Sequence, residues 1–259
     1  MNKIVDYYNT EYNEDKRLGQ NCDNRHYVER EVKKHIMQAF IKNTDSILDV
    51  GAGTGLYSLF FAEKGNFVTA GDIVPKHVEV INQKAKERNL KINTMVLDAR
   101  FLPFKDNSFD VVLLAGPIYH VDDLNLKKQY ISEAVRVCKK GGTVVVDYLS
   151  DIHGFIQHCL IDKSFLANCS HNDFINRKCK DVTFSYDNAK KIRNLMLDSG
   201  LNNIKIFGTD SITRFIREDI NSFNEENIKK WVDFIISISE EQSIIDLSEH
   251  CIAIANKIC

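Results

Sequence analysis

The stretch Ser46-Ile47-Leu48-Asp49-Val50-Gly51-Ala52-Gly53-Thr54-Gly55 decides the fold. It reads as a buried strand that ends in an acid and runs into glycines at every second position. A strand that stops at a glycine-rich turn and restarts as a helix leaves backbone N–H groups exposed at the helix N-terminus. With no bulky side chain in the way, a ligand can approach them. A small molecule is expected to dock at this turn.

Outward from the turn, short apolar strands alternate with amphipathic helices. The pattern predicts a strand over 47–50, a helix over 55–64 closed by Gly65, a strand over 67–72 and a helix opened by Pro75. It continues with strands over 92–97 and 111–115 and a helix after Asp122 on which Leu126, Tyr130 and Ala134 line up. Gly141-Gly142 is expected to stop that helix before a strand over 143–149. Such alternation argues for an α/β fold, a parallel sheet covered on both faces with right-handed connections. Upstream, Val28, Val32, Ile36 and Phe40 share one face of a helix. That helix follows a polar, aromatic segment carrying Tyr7, Tyr8, Tyr12 and Arg17.

Past Ser150 the rhythm breaks for about 35 residues, then resumes with a helix over 187–199 and a strand over 204–207. A second irregular insertion holds a helix capped by Asn224, with Ile228, Trp231, Val232 and Ile235 on one side, before a last strand over 251–255. The expected organisation is one domain over 1–259: an N-terminal arm and helix (1–45), a ligand-binding core (46–149), and two insertions (150–186 and 209–248) that form a cap.

The 259 residues, 44% of them hydrophobic, suit one sizeable soluble domain. A net charge of -2 and scattered Lys-Lys pairs, among them Lys127-Lys128, give no basic stripe for a phosphate backbone, so nucleic acid is disfavoured as a partner. The first residues have no apolar signal core and no apolar run approaches the roughly 18 residues of a membrane span, so a cytoplasmic location is expected. Seven cysteines without C-x-x-C spacing read as reduced thiols.

If the turn holds a nucleoside, an acid belongs at the end of the second strand, where a carboxylate accepts from both ribose hydroxyls; Asp72 stands there. At the end of the third strand, Asp98 offers an acceptor for an exocyclic amine, and the Ala99 N–H can donate to a ring nitrogen. Adenosine fits the pair. Dinucleotide folds use G-x-G-x-x-G, and Leu56 at the third glycine position disfavours NAD.

These residues resemble the class I S-adenosylmethionine-dependent methyltransferases. The resemblance rests on D-V-G-A-G-T-G (49–55), G-D-I (71–73), L-D-A (97–99), F-D-V-V-L-L-A (109–115) and R-V-C-K-K-G-G-T-V-V-V (136–146), in the family's order and spacing. It is strong over 46–149 and weak in the C-terminal third. It implies a Rossmann-like, seven-stranded, mostly parallel sheet of order 3-2-1-4-5-7-6, with 251–255 as the reversed strand beside 204–207. It implies S-adenosyl-L-methionine as cofactor, with Gly51, Ala52 and Gly53 along its methionine part. Asp49 would orient the loop or meet the ammonium through water, Asp72 with Ile73 would serve the ribose, Asp98 and Ala99 the adenine, and Ala115 with Gly116 the backbone beside the methyl donor. No metal is implied.

Gly116-Pro117-Ile118-Tyr119-His120-Val121 lacks the Asn or Asp of enzymes that methylate base amino groups. It resembles the G-P-L-Y-H-L of a bacterial small-molecule-type group that also begins with a Tyr-rich, Arg-containing segment. His120 is a candidate general base, or else a hydrogen-bonded structural residue; Tyr119 either shapes the site or fills core space. Tyr7, Tyr8 and Tyr12 are expected to close over the cofactor as a lid, with Arg25 available for a carboxylate; the alternative is an arm that only packs on the domain. His153, His158, Cys159, Cys169, His171 and Cys179 are spread too widely for the paired spacing of a structural zinc site, so metal binding is disfavoured. The expected activity is methyl transfer to a small molecule by in-line displacement; a non-catalytic module that binds S-adenosylmethionine or S-adenosylhomocysteine is the alternative. The sequence names neither the acceptor nor an oligomeric state.

Overall fold

The structure, a computed structural model, describes Tyr7–Tyr8 and residues 22–177 and 183–258. Within these lie β1 (Ser46–Val50), β2 (Phe67–Asp72), β3 (Ile92–Val96), β4 (Phe109–Leu114), β5 (Cys138–Ser150), β6 (Tyr186–Asp187), β7 (Leu201–Gly208) and β8 (His250–Lys257). They form one sheet of order β3-β2-β1-β4-β5-β8-β7, with β6 pairing only with the end of β5. β1 to β5 run parallel, and β8 is antiparallel to both its neighbours, with Tyr148 opposite Cys251 and Lys205 opposite Ile254. This is the Rossmann-like path expected from the sequence, reversed last strand included. The labels differ because the two-residue β6 adds a strand within the first insertion.

Alternate strand residues feed opposite faces. Leu48, Val112, Leu114, Val144 and Val146 pack under the helices Leu124–Val137 and Ala189–Asp198. Ile47, Val111, Leu113, Val145 and Ile252 face the helices Asn24–Phe40, Leu56–Glu63 and Glu225–Ile238. The first of these helices buries Val28, Val32 and Ile36 as its spacing predicts, and Asp23 caps it by accepting from the His26 N–H. Asn224 caps the third in the same way, through the Asn227 N–H.

Two expectations need correction. The helix over 124–137 ends before the glycine pair, and β5 begins at Cys138 rather than Thr143. Cys138 pairs with Phe109 and Thr143 with Val111, so the intervening residues bulge out with Gly141 at φ 72°, a conformation that glycine supplies without a Cβ clash. The irregular stretch after Ser150 holds helices Asp151–Ile161, Phe165–Asn168 and His171–Ile175, two of them too short for a periodic signal. No described helix is long and apolar enough to cross a membrane.

Candidate active site

The carboxyl ends of β1, β2, β4 and β5 open into a cleft whose empty space, mouth included, is about 1060 Å³. Asp49, Gly51, Ala52, Gly53, Asp72, Ile73, Asp98, Ala99, Ala115, Gly116, Tyr119 and His120 all line it. The twelve residues singled out from the sequence are thus brought to one cavity.

The turn after β1 keeps its shape through glycine. Gly51, Gly53 and Gly55 have φ of 76°, 53° and 86°. A Cβ on Gly51 would lie 2.6 Å from Cδ of Pro117, so any other residue would push the Pro117–His120 turn away. Asp72 braces the turn from the next strand: Oδ2 accepts from the Gly53 N–H at 2.8 Å and Oδ1 from the Val74 N–H at 2.9 Å. Each oxygen keeps a second lone pair, so this bracing does not exhaust its capacity for a ribose hydroxyl.

Asp49, 1% exposed, accepts from the Ser58 hydroxyl at 2.6 Å through Oδ2, while Oδ1 has no hydrogen-bond partner. Burial, with a smaller push from Asp72, raises its pKa to about 6 against the relief from Ser58. A buried carboxylate oxygen left open on a cleft wall fits a ligand ammonium. Asp98 is gripped by the Arg100 guanidinium at 2.6 Å and 2.9 Å and by the Arg100 N–H. Burial works against its charge, but these bonds outweigh it and the pKa falls. An adenine amine would therefore share an acid already held in place.

On the other side of Ala115 the wall changes character. The Tyr8 hydroxyl lies 2.9 Å from Nε2 of His120, and Nδ1 of His120 lies 3.0 Å from the Thr183 carbonyl oxygen. Tyr119 and Phe184 pack against the imidazole with centroids 4.8 Å and 5.3 Å away, and His77 meets Tyr8 edge-on at 5.4 Å. Beyond them Lys33, 2% exposed, sits between Asp147 (2.6 Å) and Glu29 (3.1 Å). Burial opposes the ammonium, yet the two carboxylates lift its pKa above the usual lysine range.

Tyr8, His77, Glu29, Lys33 and Asp147 line the cleft, but sequence reasoning passed over all of them except Tyr8. One signal was available: Asp147 interrupts the apolar run Val144–Leu149, where an acid in a buried strand calls for a partner. Arg25, expected to await a carboxylate ligand, instead meets Glu249 at 3.3 Å. Tyr12 and Cys179 lie outside the described residues. Among the described residues the His/Cys set of the first insertion does not converge: His153 is buried with Nδ1 against the Leu247 carbonyl and His158 bonds to Gly154. Asp210, Glu249 and His250 do lie together, with Arg214 and Arg25 on Glu249 and the His250 ring on Asp210.

Comparison with known proteins places this geometry. Residues 48–146 match the family model described as a methyltransferase domain. The chain is 34% identical over 113 residues to a demethylmenaquinone methyltransferase of Tropheryma whipplei, covering 43% of this chain and 45% of that protein. It is 35% identical over 115 residues to the ajmaline N-methyltransferase of Rauvolfia serpentina, covering 43% and 38%. The chain thus spans less than half the length of these curated relatives. Among solved structures, a SAM-dependent methyltransferase from Archaeoglobus fulgidus matches with TM-score 0.61 and 18% identity over 94% of this chain and 97% of that one. Residues 48–146 thus match a methyltransferase domain, and the chain takes the fold of the solved S-adenosylmethionine-dependent methyltransferases.

Proposed function

We propose that the protein transfers a methyl group from S-adenosylmethionine to a small molecule bound between the carboxyl edge of the sheet and a cap contributed by residues 150–186 and 209–248. The observation that carries this reading is that the cleft continues past Ala115 into a wall of polar groups, Tyr8, Tyr119 and His120, rather than closing on apolar side chains. A module that only bound the cofactor would have no use for that half of the cleft. The names of the relatives, a demethylmenaquinone methyltransferase and an ajmaline N-methyltransferase, support a small-molecule acceptor. So does the likeness of Gly116–Val121 to the small-molecule-type group.

In this reading Asp49 offers its open oxygen to the cofactor's ammonium, and Gly51, Ala52 and Gly53 line its methionine part. Asp72 and Ile73 serve the ribose, Asp98 and Ala99 the adenine, and Ala115 and Gly116 present backbone beside the sulfur. The bound cofactor supplies a methyl group on a positively charged sulfur whose leaving group is a neutral thioether. The chain's contribution is position: holding an acceptor atom about 3 Å from the methyl carbon in a water-poor cleft lowers the barrier by several kcal/mol. His120 is the candidate base for an acceptor that must shed a proton.

Calorimetric titration with S-adenosylmethionine, S-adenosylhomocysteine and NAD, followed by incubation with methyl-labelled cofactor and fractionated metabolite pools, tests the proposal. Binding of the first two and label in a small-molecule fraction are expected. Tight binding with no transfer to any fraction would leave a binding module, and preference for NAD would overturn the cofactor half.

A further inference from the structure

The contacts around His120 assign a proton-handling role to a residue far away in sequence. We propose that Tyr8 and His120 work as a dyad in which the Tyr8 hydroxyl, not the imidazole, meets the methyl acceptor, so that the acceptor is an amine or hydroxyl that loses a proton on methylation. This deepens the reading above and rests on it.

The tautomer follows from the partners. A carbonyl oxygen only accepts, so the 3.0 Å contact with Thr183 requires Nδ1 of His120 to carry its proton. In the neutral ring Nε2 is then the bare, basic nitrogen, and the Tyr8 O–H donates to it across 2.9 Å. An acceptor in the cleft finds Nε2 occupied and the phenol oxygen before it. As the acceptor's lone pair takes the methyl carbon and the carbon–sulfur pair stays with sulfur, the acceptor's proton passes to Tyr8 Oη. The Tyr8 proton moves to Nε2 in turn. The product is methylated acceptor, thioether and an imidazolium, which returns its proton to solvent after release.

The packing ties this dyad to the cofactor half. Tyr8 sits edge-on between His120 at 5.5 Å and His77 at 5.4 Å, and Nδ1 of His77 lies 3.2 Å from Oδ1 of Asp72, the carboxylate that braces the glycine turn. Tyr7 packs on Tyr8 and on Phe184, whose neighbour Thr183 anchors Nδ1. The base is therefore assembled from three separate parts of the chain: the N-terminal arm, the turn after β4 and the end of the first insertion. An arm that merely packed would not need its hydroxyl directed at the one unprotonated imidazole nitrogen.

Tyr8→Phe keeps the ring contacts and removes only the hydroxyl, which makes it the informative variant. In the full chain with S-adenosylhomocysteine bound, proton–nitrogen NMR of the histidine rings should show His120 with a protonated Nδ1 and a bare Nε2, whose resonance shifts in Tyr8→Phe. Calorimetry should give an unchanged S-adenosylhomocysteine affinity. With methyl-labelled cofactor and a panel of small amines and phenols, Tyr8→Phe and His120→Gln should each lower kcat at least tenfold. The acidic limb of the wild-type pH profile should vanish in both variants. A neutral His120 protonated on Nε2, or Tyr8→Phe turnover at the wild-type rate with the same pH profile, would overturn the dyad alone. A wild-type chain that transfers no methyl would end the wider reading and the dyad together.

Discussion

Replacing Asp72 with alanine separates the bracing role that the structure shows from the ribose-binding role proposed for the same side chain. The carboxylate is 6% exposed and accepts from two backbone N–H groups, Gly53 at 2.8 Å and Val74 at 2.9 Å. Hydrogen bonds to a charged group contribute about 1.5 to 3 kcal/mol each, and the donors left behind are partly buried, so Asp72→Ala should destabilise the fold by about 3 kcal/mol. Urea denaturation without ligand reads that number. Loss of ribose hydrogen bonds should weaken cofactor affinity by a further 1 to 3 kcal/mol, roughly 5- to 150-fold, by calorimetry at a temperature where both proteins are folded. The two measurements discriminate. Reduced stability with wild-type affinity would mean that Asp72 only braces the turn, and unchanged stability would refute the bracing itself.

Two further perturbations test the electrostatics. Burial lifts the folded pKa of Asp49 to about 6, above the ordinary aspartate range, so its effect on stability is most favourable below about pH 4 and is lost as pH rises through 6. Asp49→Asn should therefore be about 3 kcal/mol more stable than wild type at pH 8 and gain nothing at pH 4, while binding S-adenosylmethionine more weakly under the proposed function; parallel urea titrations at the two pH values check the stability. Lys127, 0% exposed, holds Ser185 at 2.7 Å and the Asp187 carboxylate. Lys127→Met should cost about 3 kcal/mol by strengthening the burden on a buried acid, and adding Asp187→Asn should recover most of it in the same denaturation assay.

The half of the cleft around the glycine turn was legible in the sequence because its acids stand at or just past the ends of strands. Asp49, Asp72, Asp98 and Ala115 follow apolar runs whose length fixes where the strand stops, and a parallel sheet brings successive carboxyl ends to one edge about 4.8 Å apart. Knowing the strands is then nearly knowing the site. The glycine turn adds its own local constraint, since the positive φ values of Gly51, Gly53 and Gly55 are read from residue type alone. Lys127 shows the opposite case: beside Lys128 it reads as a solvated pair, and only the return of the chain at Ser185 and Asp187 buries it.

The half of the cleft beyond Ala115 was hidden for the same reason that Lys127 was. Tyr8 meets His120 across 112 positions of sequence and Lys33 meets Asp147 across 114, and no period or spacing links such partners. What the sequence offered was an i, i+4 pair, Glu29 and Lys33, beside the apolar stripe of Val28 and Val32, which passes for an ordinary helix border until Lys33 is seen to meet Asp147 of β5. This asymmetry has a functional logic. A turn and two strand-end acids can be kept constant by local rules, whereas the opposite wall is made of the arm, a helix, an insertion and the end of β5, parts that meet only in the folded chain. Under the proposed activity, substitutions that redirect methyl transfer to another acceptor should accordingly fall at positions such as Tyr8 and Phe184, with unchanged S-adenosylhomocysteine affinity by calorimetry.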